Sequence, residues 1–273
     1  MIGPKQRSEF RSQGFVHVPN FFDPEAVGVV RADAKRIFIH QMLRHKILET
    51  THPSDEVFEA AMYKFFRADP ESLMRCGKQA QHLISLHRLA LDRRVVEALG
   101  VLGLGFANIC TRPVLYFNSR HLAKQEVHWR VFAHQDWRSM QGSLDAVVLW
   151  LPLVDIDRDL GALEVVPASH RRGLVTDQVV EGFGQVSADA APDQDFVSLP
   201  CRAGDGLFFS SFLVHRSGNN VTESIRWSCH FRYNNLDEET FISRGYPHPY
   251  IYKPASALLT PGFPSPDQVA RLY

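Results

Sequence analysis

The chain has 273 residues, 45% of them hydrophobic and 22% charged, enough for one large globular domain with a substantial core. Thirty basic and thirty acidic side chains cancel, so no net field steers the protein towards nucleic acid or an anionic membrane. The first residues lack an apolar signal core, and the longest weakly polar run, residues 95–110, is short and interrupted by glycine; a soluble, cytoplasmic protein is expected. Cys76, Cys110, Cys201 and Cys229 lie far apart with no Cys-x-x-Cys pair, which reads as four reduced, buried thiols and not as a zinc site.

From Glu9 the sequence reads as a short helix stopped at Gly14, then a strand over residues 15–18. Asp23 is placed to cap a second helix with Pro24 in its first turn, and Val27, Val30, Ala34 and Ile37 keep one helical face to about His45. The same start recurs at Asp69-Pro70-Glu71 and leads a helix carrying Leu73, Leu83, Leu86 and Leu89; a shorter helix follows Asp92 and stops at Gly100. Beyond Gly100 the period changes. Strands are expected over residues 107–118, 127–134, 146–153, 163–167, 195–199, 206–215 and 225–233. Helices first, then short strands with Gly and Pro turns, predict a β-sandwich or jelly roll with helices packed outside it. No repeat, low-complexity tract or linker divides the chain. One domain is therefore expected over residues 1–273, with mostly helical support to residue 100, a β core over 101–240 and a surface tail from 241. Residues 173–192 are polar, glycine-dotted and long for a plain connection, which predicts a mobile lid.

The chemistry centres on Ala133-His134-Gln135-Asp136-Trp137. In an extended strand His134 and Asp136 point to one face and Gln135 to the other. An imidazole and a carboxylate form part of a metal site, and a second histidine would complete the facial triad of non-haem Fe(II) oxygenases; the plain alternative is a surface strand with a solvated Asp. His215 ends a strongly apolar strand, as a ligand or as a cap bonded to the strand end. On the next strand Arg226 shares a face with Ser228, His230 and Arg232, while Ile225, Trp227, Cys229 and Phe231 take the other. A buried Arg cannot shed its charge and calls for an anion, most naturally a carboxylate held by both prongs.

Four motifs in order resemble the phytanoyl-coenzyme A dioxygenase family of Fe(II)/2-oxoglutarate oxygenases. They are Gly14-Phe15-Val16 to Asn20-Phe21-Phe22, then His134-Gln135-Asp136, then Gly161-Ala162-Leu163-Glu164-Val165-Val166-Pro167-Ala168-Ser169-His170, and finally His215-Arg216-Ser217-Gly218-Asn219-Asn220 through Arg226 to Ser228-Cys229-His230-Phe231. The resemblance implies a double-stranded β-helix, the jelly-roll or cupin-like fold, with a metal at its open end. It implies that His134, Asp136 and His215 hold Fe(II), that Arg226 and Ser217 hold the distal carboxylate of 2-oxoglutarate, and that Asn118 belongs to the cosubstrate site. It further implies that 2-oxoglutarate and O2 are converted to succinate and carbon dioxide while a C–H bond of a small or medium-sized metabolite is oxidised. Halogenating relatives replace the carboxylate with a small residue; Asp136 is present, which favours hydroxylation or a related oxidation.

Trp137, Arg138 and Gln141 follow the triad segment and are candidates for substrate contact, with rim packing and solvation as the alternatives. His128, His230 and Arg232 are further pocket candidates, and His170 reads as a structural turn residue. Ala168 departs from the family pattern, where glycine is common. Two other functions are weighed: a cupin-like binding protein without turnover, and a hydrolytic zinc enzyme using the same ligands, which would leave Arg226 and Ser217 without a task.

Overall fold

The computed structural model describes residues 2–123, 130–180, 183–248 and 261–272. His128 and part of the strand expected over 127–134 lie outside the described residues. Near the N-terminus, α1 (Pro4–Gln13) ends at Gly14 and leads into β1 (Phe15–Val18). After it, the three helices expected between Asp23 and Gly100 become five: α2 (Pro24–Arg44), α3 (Asp55–Ala68), α4 (Pro70–Ala80), α5 (Ile84–Ala90) and α6 (Arg93–Leu102). Asp69 and Asp92 accept from the backbone N–H groups of Ser72 and Arg94, which is N-capping as the sequence suggests. Asp23 sits at the cap position of α2 but makes no such bond. The helix expected from Pro70 onward is two, because the chain turns at Gln81 and Leu83 is extended. The sequence reading passed over α3, although Ser54 caps it and Phe58, Ala61, Met62 and Phe65 mark its buried face.

Among the described residues the strands form two main antiparallel sheets and a separate two-stranded hairpin. The larger joins β1, β9 (Gly206–Ser210), β4 (Val147–Pro152), β11 (Arg226–Asn235) and β2 (Ala107–Ile109) in that order, with β3 (Val114–Asn118) also paired to β11. The smaller has the order β10 (His215–Ser217), β5 (Leu163–Val165), β8 (Val197–Leu199). Pro113 lies in the break that splits the expected strand 107–118 in two; proline has no N–H for the ladder. The apolar run 206–215 also divides, since residues 211–214 carry the chain from the larger sheet to the smaller.

Alternation along buried strands sorts the core into layers. On the helix side of the larger sheet, Leu149, Leu151, Phe208, Trp227, Cys229, Phe231 and Tyr233 pack with Phe38, Phe58 and Phe65 of the helices. On the other side, Val148, Trp150, Leu207 and Phe209 meet Leu163, Val165 and Cys201 of the smaller sheet region. Burying one such large apolar side chain contributes about 1.5–3 kcal/mol, and every residue of β4 and β11 is buried. The result is three layers, helices on sheet on sheet, with the pocket between the two sheets.

The segment expected to be a lid holds a hairpin of β6 (Asp177–Val180) and β7 (Phe183–Val186). Its base is fastened, since Val186 N donates to Ala133 O at 2.7 Å. Nor is the C-terminal part only a surface wrap. α8 (Glu239–Ser243) follows β11, and α9 (Pro266–Ala270) buries Val269 against Trp137, Leu144 and Phe212. No described helix is long and apolar enough to cross a membrane.

Two of the motifs are joined by packing. Gly14 has φ +82°, and a Cβ there would stand 2.4 Å from His170 Nδ1 and 2.9 Å from Leu213 Cδ1. Gly14→Ala is therefore expected to cost on the order of 1–3 kcal/mol, read as a fall in the urea midpoint at unchanged slope. Ala168 has φ +61°, which explains why glycine suits that turn. Left-handed backbone costs a non-glycine residue about 1–2 kcal/mol, so Ala168→Gly should raise the midpoint by a shift of similar size.

Candidate metal centre and cosubstrate pocket

His134 and His215 face each other across an isolated antiparallel bridge, each N–H donating to the other's carbonyl at 3.0 and 3.1 Å. Asp136 is not on the same strand as His134, as alternation had suggested. It has helical angles, φ −61° and ψ −32°, at the start of α7 (Trp137–Met140). A turn from bridge to helix, and not a strand repeat, brings the carboxylate to the imidazoles. That turn is pinned by Gln135, which is buried: its Nε2 donates to Gly173 O (2.8 Å) and Phe212 O (2.6 Å), and its Oε1 accepts from Val175 N (3.0 Å). Trp137 N adds a bond to Ser211 O at 2.9 Å.

The donor set suits a divalent metal. His134 Nδ1 lies 2.7 Å from Phe132 O and His215 Nδ1 lies 2.9 Å from Leu213 O. A carbonyl only accepts, so both Nδ1 atoms carry the proton and both Nε2 lone pairs are left for a metal. One ligand atom from each of His134, Asp136 and His215 falls within 4.8 Å of the others. Burial, then the neighbouring His134, push the His215 imidazole down to about 3, so it is neutral at ordinary pH. Burial drives the Asp136 carboxyl up, but the adjacent Arg232 guanidinium outweighs it and holds the carboxyl well below the usual range. The group is thus two imidazoles and one carboxylate, with room for further ligands.

A second group, His17, Cys201 and Asp205, is as close together but is already committed. Asp205 accepts from Asn20 N, Arg202 N and His17 Nε2 at 2.8–2.9 Å, which ties β1 to the turn before β9.

The pocket beside the triad is lined by Tyr116, Trp150, Ser217, Arg226, His230 and Arg232, with Val131 and Leu163 at its wall. Arg226 is buried at 3% exposure, donating Nη1 to Gly161 O (2.6 Å) and Nη2 to Ser217 Oγ (2.9 Å). Both partners are neutral, Nε has none among the described residues, and burial lowers its pKa to about 10. Asn118 lies opposite Arg226 in the β3–β11 pair and so shares its face, but the β3 residue that lines the pocket is Tyr116, edge-on to His230 at 4.9 Å. Tyr116 was missed, though it stands two residues before Asn118 on the same face.

Trp137, Arg138 and Gln141 are corrected by the same turn that places Asp136. α7 directs them away from the pocket. Trp137 is 1% exposed, stacks on Phe212 (5.2 Å, 20°) and donates Nε1 to Ser143 O. Arg138 donates to Val175 O, and Gln141 to Arg138 O. None lines the pocket. Arg232, by contrast, enters it: Nε donates to Asp136 Oδ2 at 3.2 Å and Nη2 to Oδ1 at 3.1 Å.

If the three facing groups hold a metal, His215→Ala should weaken Co(II) binding by more than about 100-fold, since loss of a mere outer-shell partner already costs about 10–100-fold. Equilibrium titration followed by metal absorbance measures it.

Comparison with known proteins agrees with this geometry. Peroxisomal phytanoyl-CoA dioxygenase of Mus musculus is 31% identical over 121 residues, covering 41% of this chain and 33% of that protein; the match thus spans about a third of that relative's length. Among solved structures, the epimerase SnoN in complex with Fe3+, alpha ketoglutarate and nogalamycin RO superposes with TM-score 0.55 at 22% identity, over 85% of this chain and 82% of that one. EctD from S. alaskensis with 2-oxoglutarate and 5-hydroxyectoine gives TM-score 0.56 at 18% identity, over 87% and 78%. At these identities the structural likeness concerns the fold. The family model described as Phytanoyl-CoA dioxygenase (PhyH) matches residues 10–228, which takes in the bridge, the turn and β11 as far as Ser228, and the chain belongs to that family.

Proposed function

We propose that the protein is an Fe(II)/2-oxoglutarate-dependent oxygenase, a single jelly-roll domain that hydroxylates or otherwise oxidises a C–H bond of a small or medium-sized metabolite. The observation that carries this reading is Arg226. It is a buried cation that meets no carboxylate among the described residues, in the pocket that also holds His134 and His215. A buried charge without a counter-ion is costly by several kcal/mol, and a carboxylate entering the pocket removes that cost. A hydrolytic zinc site would leave Arg226 unexplained, and a binding protein without turnover would leave the triad beside it without a task.

In this reading His134, Asp136 and His215 hold the iron, which supplies the activation of dioxygen while 2-oxoglutarate is converted to succinate and carbon dioxide. Arg226 and Ser217 bind the distal carboxylate and orient the keto end towards the triad. Tyr116, Trp150 and Leu163 form walls that exclude water from the cosubstrate. Solved structures of the same fold hold Fe3+ with alpha ketoglutarate, or 2-oxoglutarate with 5-hydroxyectoine, in their own sites, which supports the cosubstrate assigned here.

Truncating one partner of a buried charge pair costs about 2–5 kcal/mol. Arg226→Gln is therefore expected to weaken 2-oxoglutarate by roughly 30- to 4,000-fold, measured by calorimetry on protein loaded with an inert divalent metal. Metal affinity without cosubstrate should barely change. An unaltered 2-oxoglutarate constant in folded Arg226→Gln would reject the proposal.

A further inference from the structure

Arg232 has no task in the cosubstrate site, yet it is the second guanidinium on the pocket face of β11. It is 6% exposed, and it grips Asp136 by both oxygens, Nε to Oδ2 at 3.2 Å and Nη2 to Oδ1 at 3.1 Å. The side chains of the pair are 7% and 3% exposed, so water does not compete for either. A planar guanidinium fork fixes the plane of the carboxylate it holds. Within that fixed plane both oxygens are held, Oδ1 by Nη2 and Oδ2 by Nε, and Oδ1 is the one that lies 3.5 Å from His134 Nε2.

As a stabilising device alone, this pair is a poor choice. Buried ion pairs are often replaceable by apolar side chains without loss, and a cation beside a metal ligand repels the metal. The arrangement makes sense if orientation outweighs charge. A carboxylate free to turn about its last bond offers both oxygens to one cation and fills a position that the cosubstrate or dioxygen needs. We propose that Arg232 is a positioning residue that holds Asp136 as a one-oxygen ligand, presenting Oδ1 to the two imidazoles and withholding Oδ2. This rests on the assignment of His134, Asp136 and His215 as metal ligands.

Charge and orientation predict opposite signs, which makes the inference testable without turnover. Arg232→Met keeps length and bulk but removes charge and donors; Arg232→Lys keeps the charge but has no fork. The full chain is titrated with Co(II), and the visible spectrum of the bound ion is recorded with and without 2-oxoglutarate. Positioning predicts that both variants bind Co(II) about 10- to 100-fold more weakly, the usual effect of losing an outer-shell partner, and that the bound ion's spectrum shifts as the carboxylate rearranges. Tighter or unchanged Co(II) binding with a wild-type spectrum would overturn the inference. So would a lower thermal midpoint with an unshifted spectrum, because a structural role alone gives that pattern. If Arg232→Met does not fold by circular dichroism, Arg232→Lys decides on the same criteria. Wild-type protein that binds no Co(II), or binds it undiminished in His215→Ala, would instead reject the parent ligand assignment.

Discussion

The pocket depends on how one strand disposes of charge. β11 is buried along all ten of its residues, and its alternation sends Trp227, Cys229, Phe231 and Tyr233 into the helical core. The opposite face carries Arg226, His230 and Arg232 into the gap between the sheets. Neither guanidinium can neutralise itself there. Arg232 is answered from within the fold by Asp136; among the described residues Arg226 is met only by a carbonyl and a hydroxyl. That asymmetry gives the pocket a direction, with a guanidinium paired to a carboxylate at one end and a guanidinium met by neutral groups at the other.

The loops around the pocket are shaped to make this possible. The Gly161 carbonyl accepts from the Arg226 fork, and Gly161 does so from φ +86°, where an added Cβ would lie 2.8 Å from Gly218 O. The close approach of these two loops is what brings Ser217 and Gly161 to the same guanidinium. Ser169, in the same family motif as Gly161, accepts from Val214 N through its Oγ and holds the crossing between β9 and β10. The motif residues that do not touch the pocket thus fix the backbone that does.

What could be read in the sequence follows the physics of each signal. Strand alternation is local, so the face of Arg226 was legible, as were the capping of α4 and the start of α2. Helix α3 was equally visible in Ser54 and its apolar spacing, but it was not read. Asp136 and Trp137 were misplaced because the residues around His134 make one described bridge before turning into α7; a His-x-Asp triplet reads the same in a strand and in such a turn. The apolar run 206–214 concealed a crossing between sheets because strand and crossing are both buried. The partnership of Arg232 with Asp136 joins positions 96 residues apart, and no local pattern reports it.

The same long-range pairing explains how two buried cations coexist with a site built for a third. Arg226 and Arg232 are six residues apart on β11, roughly 20 Å at about 3.3 Å per residue, with their side chains turned into one pocket. Were both unpaired, their field would oppose any metal between them. Asp136 cancels the nearer one, so the imidazole pair faces a locally neutral fork, and the uncompensated charge stays at the far end. In the proposed reading, a dianion meets the metal through one head and the Arg226 guanidinium through the other, and each contact is favourable. On that proposal, the orientation of the cosubstrate follows from where the strand places its charges, before any contact with a substrate is made.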